Sequence, residues 1–186
     1  MSQKRKIVVI VGSKSDLPQC RLGLTILKGD IERGAIEDVR VIVASIHRNS
    51  AFLLDGQDAA GVLRQLSETG DTDVIISAAG WANHLTGMID AYLRYNIGDD
   101  KIVVVGEAIE DVSNEKHTQA AMLSISEVPG TQVVYIPEFS DKQFVGQEGF
   151  AAACIFAVSG DLPKIKIPAP KETHEWLLSE MDLNNL

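Results

Sequence analysis

Short runs of consecutive apolar residues alternate along the chain with longer stretches in which apolar positions recur every three or four residues. The short runs are KIVVIVG (6–12), VRVIVAS (39–45), DVIISAAG (73–80), KIVVVGEA (101–108) and QVVYIP (132–137). Continuous Val/Ile runs of this length predict strands buried on both faces, because a strand with one wet face would alternate apolar and polar positions. Between them, residues 18–33 carry Leu24, Leu27 and Ile31 on one helical face and stop at Gly34, a residue type that readily caps a helix in the left-handed conformation. A second helical pattern runs from 50 to 69 and stops at Gly70. A shorter one spans 85–95, and the small-residue stretch GQEGFAAACIFAVSG (146–160) predicts a helix able to pack closely.

This alternation predicts βαβ units with right-handed crossovers, hence an α/β fold with a doubly wound, mainly parallel sheet. Ligands of such sheets bind outside the carboxyl ends of the strands, at the topological switch point. Residues 1–160 read as a single catalytic domain. The tail, 161–186, changes character: three prolines fall within 163–170, and Trp176, Leu177 and Met181 then recur at helical spacing. It predicts a Pro-linked C-terminal helix that buries its apolar side on its own domain or on a neighbouring subunit.

A length of 186 residues suits that one domain. The net charge of −9 and pI near 4.9 argue against a nucleic-acid or anionic-membrane partner, while a small anionic substrate can still meet a locally positive site. Cys20 and Cys154 sit in apolar surroundings without metal-ligand spacing and read as buried thiols of a reducing compartment. The opening MSQKRKIVVIVG has too short an apolar run for a membrane span and no small-residue cleavage site, which predicts a cytoplasmic protein.

Three loops at strand ends carry the candidate chemistry. GSKSDLP (12–18) places Gly12, Ser13, Ser15 and Asp16 before a helix that Pro18 can start. Taken alone these residues suit helix capping first; the sharper reading is an anion and hydroxyl site in which helix N–H groups and hydroxyls meet a phosphate and Asp16 accepts from a sugar. The stretch is neither the dinucleotide glycine fingerprint nor a P-loop. SIHRNS (45–50) puts His47 and Arg48 at the lip of the second strand, where a buried, unpaired Arg would be unfavourable and a carboxylate or phosphate would satisfy it. AAGWANHLTG (78–87) offers Gly80 for close backbone approach, and Asn83 and His84 at a helix start; Trp81 reads as a lid or as packing. Two histidines without a spaced third ligand do not predict a metal site. His117 and His174 fall in polar helical stretches and read as solvated.

Taken in order, these loops resemble the phosphoribosylaminoimidazole carboxylase catalytic subunit family, which includes carboxyaminoimidazole ribonucleotide mutase. GSKSD matches the family's G-S-x-S-D, SIHRNS its S-A-H-R-T-P, and AAGWANHLTGM its A-G-G-A-A-H-L-P-G-M. Downstream, AAMLSISEVPG and GFAAACIFAV resemble D-S-L-L-S-I-V-Q-M-P-x-G and N-A-A-L-L-A-A-Q-I-L, so the likeness covers residues 6–160. The resemblance implies a three-layer αβα sandwich with flavodoxin-like strand order, assembled as a homo-octamer whose C-terminal helices reach to neighbours. It implies a step of purine biosynthesis without metal or organic cofactor. In the mutase, a carboxylate leaves the exocyclic nitrogen of aminoimidazole ribonucleotide and reappears on its ring carbon; the direct carboxylase adds carbon dioxide. By the resemblance Ser13 and Asp16 bind substrate, and Arg48 takes its phosphate or carboxylate. His47 moves the ring proton, and Ser45, Gly80 and His84 line the pocket.

The chain departs from the family pattern in several places. Asn49 and Ser50 replace Thr-Pro, which is expected to loosen the exit after Arg48. Trp81 replaces a glycine, and Ala121 and Glu127 stand where the family carries Asp and Gln. Arg48 after His47 resembles the mutases, whereas Asn83 resembles the S-N-G-L segment of the direct carboxylases. The mutase, the direct carboxylase and a related nucleotide (de)carboxylase therefore stay open as activities. A non-catalytic nucleotide-binding protein is disfavoured by the presence of both His47 and Asp16, since binding alone needs no proton shuttle. An NADP oxidoreductase is disfavoured by the missing glycine fingerprint.

Overall fold

A computed structural model describes residues 4–138 and 140–181. Four strands form one parallel sheet: β1 (Ile7–Val11), β2 (Arg40–Val43), β3 (Val74–Ala79) and β4 (Val103–Ala108). Their order is β2-β1-β3-β4, and Val134 makes a parallel bridge to Val105 beyond β4. That is the flavodoxin-like progression, with the switch point between β1 and β3.

Successive side chains on a strand point to opposite faces, and β1 divides accordingly. Ile7, Val9 and Val11 join one core with Cys20 and Leu27 of α1 (Leu17–Glu32) and Phe150 and Phe156 of α6 (Gly146–Ser159). Val8 and Ile10 join the other core with Leu53 of α2 (Ser50–Leu53), Leu63 and Leu66 of α3 (Val62–Thr69), and Leu85 and Ile89 of α4 (His84–Ala91). α5 (Glu115–Ser126) sends Ala121 and Ile125 into the first core. Helices thus cover both faces, giving the three-layer sandwich.

Four expectations change. β1, β3 and β4 are buried throughout, but β2 is the edge strand and exposes Val41 and Val43. The run 132–137 is reduced to its bridge: Asp90 on α4 accepts from the Gln132 N–H at 2.9 Å and the Thr131 hydroxyl at 3.2 Å, and Pro137 has no N–H to continue a ladder. The pattern at 50–69 breaks into α2 and α3, because Asp55 accepts from the Gly61 N–H and from Arg64, turning the chain back between the two. Finally, the chain has no regular structure from 161 to 177 and makes only a 3-10 turn at Leu178–Glu180 where a helix from Trp176 was expected; residues 182–186 lie outside the described residues.

At the far end of α4 a π turn, Tyr92–Ile97, carries the fully buried Arg94. It donates to Asp90 and to the carbonyls of Asp99 and Ile102, so the same Asp90 that restrains residue 132 is neutralised from below.

Candidate active site

The carboxyl ends of β1, β2 and β3 surround a cavity of about 450 Å³, a size that suits a small-molecule ligand. Gly12, Ser13, Ser15 and Asp16 form one wall, Ser45, Ile46, His47 and Arg48 a second, and Gly80, Trp81 and His84 a third. All the sequence-predicted site residues but Asn83 meet here. The first wall starts with a close approach: the Gly12 N–H donates to Ala78 at 2.9 Å, and a Cβ at Gly12 would stand 2.9 Å from that of Ala79. Ser13 then caps the short turn that follows, accepting from the Ser15 N–H. Asp16 occupies the N-cap position of α1 yet makes no cap hydrogen bond. Its carboxylate accepts from the Ser15 hydroxyl at 3.3 Å, and burial pushes it above its ordinary range. The capping reading therefore holds for Ser13, and Asp16 stays available to a ligand.

The second wall is a closed turn. Asn49 donates its N–H to the Ser45 carbonyl at 2.8 Å and accepts from the Ser45 N–H through its side chain at 3.0 Å. Instead of loosening the exit after Arg48, Asn49 ties the loop shut. Buried Ile46 anchors the same turn, and His47 and Arg48 are exposed. Arg48 lines the cavity and makes no ion pair among the described residues; burial is not what calls for a partner.

His47 Nε2 lies 3.0 Å from His84 Nδ1, with the rings edge to face at 86°. A hydrogen bond between two imidazole nitrogens needs one donor and one acceptor, so the pair shares a single proton along this line. A family model described as AIR carboxylase matches residues 6–158, spanning every wall of the cavity. The chain belongs to the AIR carboxylase family. A search of curated proteins found no match. The family indicates an enzyme acting on aminoimidazole ribonucleotide (AIR) in purine biosynthesis.

Around this cavity, two features escaped the sequence. His117 is not a free surface histidine. Its ring stacks on Trp81 with centroids 4.2 Å apart and planes at 23°, and its Nδ1 lies 2.7 Å from Asp111 Oδ2. Asn114 caps α5 through its oxygen, which directs its amide nitrogen at His117 Nε2, 3.0 Å away. These partners fix the tautomer: Nδ1–H donates to Asp111 and Nε2 accepts. The Ser113 hydroxyl and His117 hold the Asp111 carboxyl down to about 2. Trp81 itself sits at φ 61°, the only non-glycine residue at positive φ among the described residues. That conformation costs a residue with a Cβ roughly 1–2 kcal/mol. His174, read as a helical surface residue, lies in chain without regular structure and stacks on Trp176.

The second feature is Glu107, at the end of β4. It is fully buried, and among the described residues neither carboxyl oxygen has a partner within hydrogen-bond geometry. Burial holds this carboxyl well above its ordinary range, and nearby Asp16 adds to the shift. Its only sequence signal is an acidic residue inside the run KIVVVGEA. Asn83, expected to bind substrate, is buried outside the cavity. It accepts from the Thr86 N–H as the cap of α4 and donates to the Glu107 carbonyl at 2.8 Å. Its task is to join the third and fourth strand ends. Among the described residues no three His, Cys, Asp or Glu groups are placed to hold a metal ion, and no helix is long and apolar enough to cross a membrane.

Proposed function

We propose that this AIR carboxylase family member is a carboxyaminoimidazole ribonucleotide mutase, and that His47 is its proton-transfer group. The observation that carries the reading is the His47–His84 contact at the mouth of a cavity walled by hydroxyls, a carboxylate and an unpaired Arg. In the reaction the bond between the exocyclic nitrogen and its carboxylate breaks, releasing carbon dioxide beside the ring. A new bond forms from the ring carbon to that carbon dioxide, and the ring carbon loses its proton to His47. The exocyclic nitrogen regains a proton, so the sum is an isomerisation with no co-reactant. A histidine suits the task because an imidazole gives and takes protons near neutral pH, and His84 offers the proton a second position on the same line.

Substrate roles follow from the walls. Arg48 takes the phosphate or carboxylate as a charge-assisted partner, Asp16 accepts from ribose hydroxyls, and Ser13, Ser15, Ser45 and the backbone of Gly12 and Gly80 complete the pocket. The protein is proposed to be cytoplasmic and to need no cofactor. Residues 1–160 form the catalytic domain, and the tail from 161 reaches a neighbouring subunit of an octamer. Support for an assembly comes from apolar side chains that one chain leaves exposed, among them Val41, Val43, Phe52, Trp176 and Leu177.

The test is to incubate the purified protein with each of the two carboxylated isomers of aminoimidazole ribonucleotide. Interconversion without added bicarbonate is the expected result. Formation of the ring-carboxylated product only from aminoimidazole ribonucleotide plus bicarbonate would identify the direct carboxylase instead.

A further inference from the structure

Trp81 combines three properties that do not fit a packing residue. Its backbone is strained at φ 61°, its side chain is 67% exposed, and it lines the same cavity as His47, Arg48 and His84. A tryptophan that packs would be covered, and a loop that needed only this turn would use glycine, which adopts positive φ freely. Strain of this kind persists where the surrounding structure over-determines it, and it clusters at ligand sites. Here the restraint comes from the β4–α5 connection. The His117 ring covers one indole face, Asp111 and Asn114 hold that ring at both nitrogens, and the Ser113 N–H and hydroxyl hold Asp111. Among the described residues no second ring stacks on the indole, which is 67% exposed.

We propose that Trp81 is a stacking platform for the planar heteroaromatic ring of the bound nucleotide, and that His117, fixed by Asp111, is the positioning residue that holds the platform in place. This rests on the reading of the cavity as a nucleotide site and assigns its ring subsite. Aromatic side chains hold bases by their π faces with little dependence on hydrogen-bond pattern. The platform therefore selects for a planar ring, while Arg48 and Asp16 select for the phosphate and the sugar.

The chain has two tryptophans, so Trp176→Phe leaves Trp81 as the sole indole reporter. In that background, aminoimidazole ribonucleotide, AMP, UMP and ribose 5-phosphate are titrated by fluorescence and by calorimetry. Aminoimidazole ribonucleotide should quench Trp81, and ribose 5-phosphate should bind without quenching. Trp81→Gly, which suits the backbone at this position, should weaken the nucleotide about 10- to 100-fold, the range of a lost base–aromatic stack. It should leave ribose 5-phosphate within twofold. His117→Ala should lose part of the nucleotide preference, and His117→Phe, which keeps a stacking ring, should restore it. Quenching by AMP or UMP but not by aminoimidazole ribonucleotide would overturn the substrate assignment and keep the platform. Absence of quenching by every nucleotide, or equal weakening of nucleotide and ribose 5-phosphate by Trp81→Gly, overturns the platform whatever the isomerisation assay returns.

Discussion

His47 Nε2 and His84 Nδ1 stand 3.0 Å apart although 37 positions separate them in sequence. Each sits just past the carboxyl end of its strand, β2 and β3, on either side of β1. Such a pair acts as a unit, because the ring that gives up the shared proton is the one the other reprotonates. His47→Asn should keep the fold and nucleotide binding while turnover falls roughly 10²–10⁴-fold, the range for a lost general acid–base. In a double-variant cycle, adding His84→Asn should cost far less than His84→Asn does alone, as for residues that work together. Calorimetry and the isomerisation assay on one preparation check both; turnover surviving within a few-fold makes His47 a structural histidine.

With Arg48 proposed to meet the phosphate and Asp16 the ribose, the two should fail differently. Arg48→Ala should weaken the phosphorylated nucleotide much more than its nucleoside, since a charge-assisted hydrogen bond to a charged group contributes about 1.5–3 kcal/mol. Asp16→Asn should weaken both alike, because each carries the ribose. Paired titrations with nucleotide and nucleoside read this directly. Equal losses in Arg48→Ala would move Arg48 away from the phosphate.

Much of this architecture is legible in the sequence because buried parallel strands are written as unbroken Val/Ile runs. β1, β3 and β4 are such runs, and the three site loops follow the ends of β1, β2 and β3. β2 looks the same in sequence but is an edge, since strand order is a property of the crossovers and not of VRVIVAS itself. The run at 132–137 has the composition of a strand, yet Asp90 binds its first residues from 42 positions away. Site residues from loops adjacent to strands could be read; those completed across the fold could not. Nothing near His117 in sequence announces Trp81, and nothing near Glu107 announces that both its oxygens are left unpartnered. Asn83 is the converse case, a polar residue in a site loop whose side chain caps α4.

The contact of α1 with α6 supports the wall that carries Asp16, and Gly23 lies in it against Phe150 and Cys154. A Cβ there would lie 2.5 Å from Phe150 Cδ1 and 2.7 Å from Cys154 Sγ. Helix propensity alone favours Gly→Ala by up to about 1 kcal/mol. Overpacking a filled core costs typically about 1–3 kcal/mol, and a contact this short with a buried ring puts the site toward the upper part of that range. Gly23→Ala should therefore lower the urea midpoint of unfolding. A raised midpoint would mean that the two helices separate more easily than their packing indicates.

Glu107 gives a prediction whose sign depends on pH. Its carboxyl is raised in the folded protein by burial first and by Asp16 second, so the folded state keeps its proton to higher pH than the unfolded chain does. Below the ordinary Glu value of 4.5 both states are protonated, and this group's contribution to stability is fully present. As pH rises past that value the unfolded chain ionises first, and stability declines until the folded carboxyl also ionises. Glu107→Gln preserves the shape, carries no charge at any pH and should remove this decline. Thermal unfolding of the two proteins should therefore give similar midpoints near pH 4.5. At pH 8 the Gln variant should unfold at the higher temperature, the gap widening steadily between. A gap independent of pH would show that Glu107 does not retain its proton on folding, and an inverted one would show that its carboxylate is stabilised within the fold.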